Sequence, residues 1–103
     1  MKKTTTQLRD EFIEIMTSNG FKATGEATCD GSAIFAREWV KTSDVVWYGS
    51  MTSTMKITTH ISFGCPIINI YRNGRREEGR DYSSPKRAIN AIKEIIRCAG
   101  YEF

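Results

Sequence analysis

A chain of 103 residues with 40% hydrophobic and 26% charged side chains has the makeup of one globular domain, residues 1–103, and excludes a disordered segment. No apolar run approaches the roughly 20 residues that cross a bilayer, and the opening MKKTTTQLRDEF lacks the apolar stretch of a secretory signal. The formal charge is +3, and Cys29, Cys65 and Cys98 are odd in number and widely spaced, which excludes a disulfide framework and a CxxC zinc half-site. A reducing cytoplasmic location is expected, with the three thiols small and partly buried.

The first element is a helix over about Thr5 to Ser18. Thr4 and Gln7 make a capping box, and Leu8, Phe12, Ile15 and Met16 share one face. Asn19-Gly20 stops it, with Phe21 placed to fold back on the last turn. Asp30-Gly31 reads as a type I′ hairpin turn between strands Lys22–Thr28 and Ala33–Val40. Thr42-Ser43-Asp44 then reads as a turn, and Val45–Tyr48 as a resumed strand. Trp39 shares a strand face with Phe35. Trp47 shares one with Val45, and one or both tryptophans are expected in the core; in the other register, with Val46 and Tyr48 on the core face, Trp47 is exposed and marks a binding surface.

The clearest strand is Thr54 to Phe63. Met55, Ile57, Thr59, Ile61 and Phe63 alternate with Thr54, Lys56, Thr58, His60 and Ser62, so one set faces the core and the other faces water. Gly64-Cys65-Pro66 breaks the run, Ile67–Arg72 follows as a strand, and Asn73-Gly74 is a second hairpin turn. The returning RREEGRDY has almost no apolar residue to hold it down, so a protruding ribbon or mobile loop is expected. Ser84 and Pro85 open the last helix, whose apolar stripe is Ala88, Ile89, Ile92, Ile95, Ile96 and Ala99, and Gly100 ends it. The fold class is therefore α+β: an antiparallel sheet of four to five strands flanked by an N-terminal and a C-terminal helix, in α-β-β-β-β-α order, with both helices on one face.

Charge is segregated. Tyr71 to Arg87 holds Arg72, Arg75, Arg76, Arg80, Lys86 and Arg87 against Glu77, Glu78 and Asp81, while the rest of the chain is balanced. Lys86 and Arg87 also stand in the first turn of a helix, where the dipole favours acids; a bound phosphate would reverse that mismatch. Tyr71 and Tyr82 bracket the ribbon and are placed to stack on unpaired bases. The element order and the SSPKRA helix start resemble double-stranded-RNA-binding domains, a resemblance that implies phosphate contacts from Lys86 and Arg87. It extends over element order and the last quarter of the chain, without that family's lysine-rich helix start or Gly-Pro-x-x-His loop.

Enzyme chemistry finds no support. His60 is the single histidine, its same-face strand neighbours are Thr58 and Ser62, and no glycine-rich phosphate loop is present. No catalytic residue, metal site or cofactor is expected. The expected function is a small non-enzymatic nucleic-acid-binding module, for RNA or DNA, contacting phosphates through the basic hairpin and the helix N-terminus. The alternative is a small protein-binding modulator or inhibitor that occludes a surface of a larger partner.

Overall fold

The structure, a computed structural model, describes residues 4–45, 47 and 49–103. It contains α1 (Thr5–Ser18), β1 (Lys22–Ala27), β2 (Ala33–Val45), β3 (Gly49–Ser62), β4 (Cys65–Arg72), β5 (Arg75–Asp81) and α2 (Pro85–Cys98). The five strands form one antiparallel sheet in the order β1-β2-β3-β4-β5. This is the expected α+β order, with five strands in the sheet.

Local chemistry sets the helix ends. Gln7 N–H donates to Thr4 Oγ1 at 3.1 Å while Thr4 N–H donates to Gln7 Oε1 at 2.9 Å, so the capping box satisfies two orphan donors. Both helices stop alike. Gly20 and Gly100 adopt φ of 86°, which lets Phe21 N–H reach back to Met16 O and Tyr101 N–H to Ile96 O, each at 3.0 Å. Phe21 is thereby turned into the core.

The core lies between the two helices and one face of the sheet. Phe12 and Met16 of α1, and Ala88, Ile89, Ile92 and Ile96 of α2, cover Phe35, Trp39, Met55, Ile57, Ile61, Ile68 and Ile70. Thr59 shares that face, and its buried hydroxyl donates to Ile67 O at 2.9 Å. Arg37 also points inward. Its guanidinium lies 4.7 Å from the Trp39 ring centroid and 4.4 Å from that of Phe103, and donates to Asn19 O and Phe103 O. Partial burial pulls its pKa below the usual guanidinium value. It ties the end of α1 and residues 101–103 to the sheet.

Six expectations change. Thr42-Ser43-Asp44 continues β2 rather than turning, because cross-strand pairing with β3 runs on to Val45↔Gly49. Trp47 lies in the turn beyond it and is 87% exposed, while Val46 and Tyr48 of the expected Val45–Tyr48 strand lie outside the described residues. The Asp30-Gly31 turn is a three-residue loop closed by Thr28 N–H to Ser32 O, with Gly31 alone at positive φ, not a type I′ turn. Phe63 leaves the core alternation: it sits at φ 49° in the β3–β4 turn, 92% exposed. The basic return strand is a paired strand, β5, held by its ladder to β4 although every residue in it is exposed. All three cysteines are exposed and free rather than partly buried.

Candidate nucleic-acid interface

The six cations singled out by sequence do not converge. Arg72 and Arg75 face each other at the base of the β4–β5 turn, Arg80 lies near the far end of β5, and Lys86 and Arg87 stand beyond it on α2. Seven strand residues separate the two ends by about 20 Å. Three of the arginines are engaged within the hairpin. Arg72 pairs with Glu77 at 2.9 Å, Arg80 with Glu78 at 2.8 Å, and Arg76 binds Asn69. Glu78, with help from Tyr82, raises the Arg80 pKa above its usual value. Tyr82 packs against the core and Tyr71 lies on the opposite face, so the two tyrosines do not flank one surface.

The helix N-terminus offers little to an anion. Pro85 has no N–H, the Arg87 amide donates to Ser84 Oγ at 3.2 Å, and the Ala88 amide to Ser84 O. The Lys86 amide is left as the one first-turn donor without a partner among the described residues. Lys86 and Arg87 are exposed cations on a helix start that its own serine already caps.

A different cluster forms on the sheet face that the helices leave open. Strand alternation puts Lys56, Thr58, His60, Asn69 and Tyr71 there, and register aligns them across strands. Glu38, Lys56, Tyr71 and Arg76 form one row, and Ala36, Thr58, Asn69 and Gly79 the next. The Asn73-Gly74 turn sets Arg76 opposite Tyr71, and a bulge beyond that pair, with Glu77 as the extra residue, sets Gly79 rather than Glu78 opposite Asn69. Lys56 Nζ lies 5.5 Å from the Tyr71 ring centroid. On the other side Arg76 folds back over the sheet, its Nε and Nη2 donating to Asn69 Oδ1 at 3.2 and 3.0 Å. Gly79 makes room for it, since a Cβ there would lie 2.7 Å from Arg76 Nη2. The result is an aromatic ring between two cations, beside hydroxyl, amide and imidazole groups.

The sequence points to Tyr71 and Arg76 as parts of a ribbon, and to Lys56, Thr58 and His60 as a polar strand stripe that is either a plain solvent face or a second surface for phosphates or a partner. It singles out neither Asn69 nor Gly79. The signal was present: an Asn73-Gly74 turn fixes Arg72 opposite Arg75 and, one step on, Tyr71 opposite Arg76. Among the described residues no three His, Cys, Asp or Glu side chains come together as a metal group, and no helix is long and apolar enough to cross a membrane. No protein-family model, curated protein or solved structure matches the chain.

Proposed function

We propose that the protein is a non-enzymatic nucleic-acid-binding module that seats an unpaired strand on the open face of its sheet. Tyr71 stacks on a base, Lys56 and Arg76 contact the flanking phosphates, and Asn69, Thr58 and His60 face base edges. The observation that carries this is the Lys56–Tyr71–Arg76 row. A half-exposed aromatic ring with cations on either side suits single strands, whereas a duplex offers no free base face. The charge excess of +3 favours the same class of ligand. A reducing cytoplasmic setting fits three exposed, unpaired thiols.

Fluorescence anisotropy with labelled single- and double-stranded RNA and DNA tests it. Single strands should bind more tightly than duplexes. Tyr71→Ala should cost about 1–3 kcal/mol of affinity, while Lys56→Ala and Arg76→Ala should each reduce the log–log salt slope by roughly one. Lys86→Ala with Arg87→Ala should matter little. Binding absent at ~50 mM salt, or lost with Lys86 and Arg87 but not with Tyr71, would refute the reading.

One observation favours the protein-binding alternative at a second surface. The β2–β3 hairpin runs out past the rest of the sheet and carries Val40, Met51 and Trp47 exposed. Large exposed apolar side chains on an uncovered arm mark protein contacts.

A further inference from the structure

The β2–β3 arm has a free strand edge, an apolar tip and, at its root, a cleft. β1 pairs with β2 only as far as Ala36, and β4 with β3 only as far as Met55. Beyond those points each of the two strands has only the other as a strand neighbour, and the molecule extends 58 Å along its longest axis. A two-stranded hairpin without a core beneath it is marginal in water. This one is exposed on both faces from Val40 to Asp44 and from Gly49 to Thr52.

The direction of its amides follows from one contact. Thr54 N–H and C=O both bond Asn73, at 2.9 Å each, so they point away from β2. Its partner Val40 must then point its amide away from β3, and so must Thr42 and Asp44. Three consecutive outward amides leave an unpaired edge, with Lys41 and Asp44 as the arm's only charges, one of each sign. Natural edge strands are guarded by charge clusters, proline or bulges, as β5 is; this edge has no such guard.

At the arm's root a cleft of about 370 Å³ is lined by Trp39, Val40, Lys41, Gly100, Tyr101 and Glu102. Trp39 Nε1, on its wall, is buried and donates to no acceptor among the described residues.

We propose that the occupant of this edge is a second copy of the chain. The two β2 strands pair antiparallel about a two-fold axis at Ser43, perpendicular to the sheet. Antiparallel pairing places residues of the same face opposite each other, so such an axis must pass through a residue pair and not between residues. At Ser43 it sets Thr42 against Asp44 of the second copy, twice, with the outward amides of these four residues bonded and a hydroxyl facing each carboxylate. Moving the axis to Thr42 would set each carboxylate against the Val40 isopropyl instead. The same register sets Val45, the last residue of β2, against Lys41 of the second copy and carries the Trp47 turn toward that copy's root, where the cleft opens. Each tip thus covers the other copy's root. The second body begins beyond the first tip, so the two do not collide. The β3 edge is the poorer choice: it offers Ser50 and Thr52 alone before Asn73 caps it.

This inference rests on the protein-docking reading of the arm and not on the sheet-face reading. The test is done without nucleic acid, so the two fail separately. Sedimentation and light scattering of the full chain from about 1 to about 200 µM should show a concentration-dependent dimer, with a melting temperature that rises with concentration. Thr42→Pro removes an outward N–H that β3 does not use, and should give a monomer that still melts cooperatively. Thr52→Pro, the same change on the β3 edge, should leave the dimer intact. Trp47→Ser should weaken dimerisation by about tenfold or more. A monomer throughout the range, as for an arm that docks a larger partner, overturns the proposal. So does a dimer that survives Thr42→Pro, or one broken by Thr52→Pro alone.

Discussion

Phe63→Asn should stabilise this protein, although it replaces an apolar side chain by a polar one. Ser62 pairs with Cys65, so Phe63 and Gly64 are the two residues of a tight turn, with φ of 49° and 81°. That is a type I′ geometry, which suits Asn-Gly because asparagine tolerates the left-handed region. For a side chain that is not glycine or a short polar one, this conformation costs roughly 1–2 kcal/mol. Burial returns little, because Phe63 is 92% exposed. The β4–β5 turn supplies the comparison within the same sheet: Asn73-Gly74 has φ of 51° and 84°, with Asn73 Oδ1 accepting from Thr54 N–H. A gain of about 1 kcal/mol is expected, which for a chain of this size raises the melting temperature by roughly 4–8 °C. In urea the midpoint should rise by roughly 0.3–1 M with the m-value unchanged. Gly64 must be kept, since a Cβ there would lie 3.1 Å from Leu8 Cδ1 and be strained besides. An unchanged or lower midpoint would refute the reasoning and show that the exposed ring stabilises the turn.

Two other changes probe a turn and the sheet face. The hydroxyl of Thr28, and then the amide and hydroxyl of Ser32, hold the Asp30 carboxyl below the ordinary carboxylate range. A lowered folded pKa adds stability that is present above the unfolded value near 4 and fades as pH falls through the folded one. Wild type should therefore outmelt Asp30→Asn at neutral pH and converge with it on acidification, and a gap that persists at about pH 2 would contradict this. Gly79→Ala places a Cβ 2.7 Å from Arg76 Nη2 and 3.0 Å from Asn69 Oδ1. The backbone there is not left-handed, so stability should stay within about 1 kcal/mol of wild type. Single-strand affinity should drop several-fold as Arg76 loses its seat; unchanged affinity by anisotropy would remove that contact from the interface.

Local signals made most of the fold legible. Thr4 with Gln7, Asn19-Gly20-Phe21 and Ser84-Pro85 each bring their own hydrogen-bond partners within a few residues, so both helices could be bounded closely from sequence. The Met55–Ile61 alternation fixed the core face of β3 because one side of the sheet meets helices and the other meets water. Beyond the core that rule has no force. Lys41 to Asp44 lies on an arm with water on both sides, so its polar residues carry no face signal and read as a turn. Phe63 was misread for the opposite reason: its apolarity continued the alternation, and a backbone turn overrode it. The basic segment misled at the level of the site. Charge along a sequence says nothing about which side chains a strand sends to each face, and Glu77, Glu78 and Asn69 engage three of its arginines. Tyr71 opposite Arg76 was within reach, because an Asn-Gly turn sets the register. Lys56 beside Tyr71 needed the β3–β4 pairing.

In the proposed dimer the arm and the open face are coupled by symmetry. An axis perpendicular to the sheet turns both open faces to the same side, so the second copy doubles the platform rather than hiding it. Tyr71 is level with Glu38, five residues along β2 from Ser43, and two strands over. At strand dimensions the two Tyr71 rings then lie roughly 40 Å apart. A stacked strand rises about 3.4 Å per nucleotide, so roughly 12 nucleotides separate the two rows. An oligonucleotide of about 6 nucleotides can engage one row, and one of about 30 can engage both. The second contact is then intramolecular, at an effective concentration far above that of free protein. Wild type should bind the longer strand at least about tenfold more tightly per molecule than the shorter one. Thr42→Pro should lose that advantage while binding the short strand as well as wild type does. Equal length profiles in the two proteins would refute the coupling and leave the arm and the sheet face as independent surfaces.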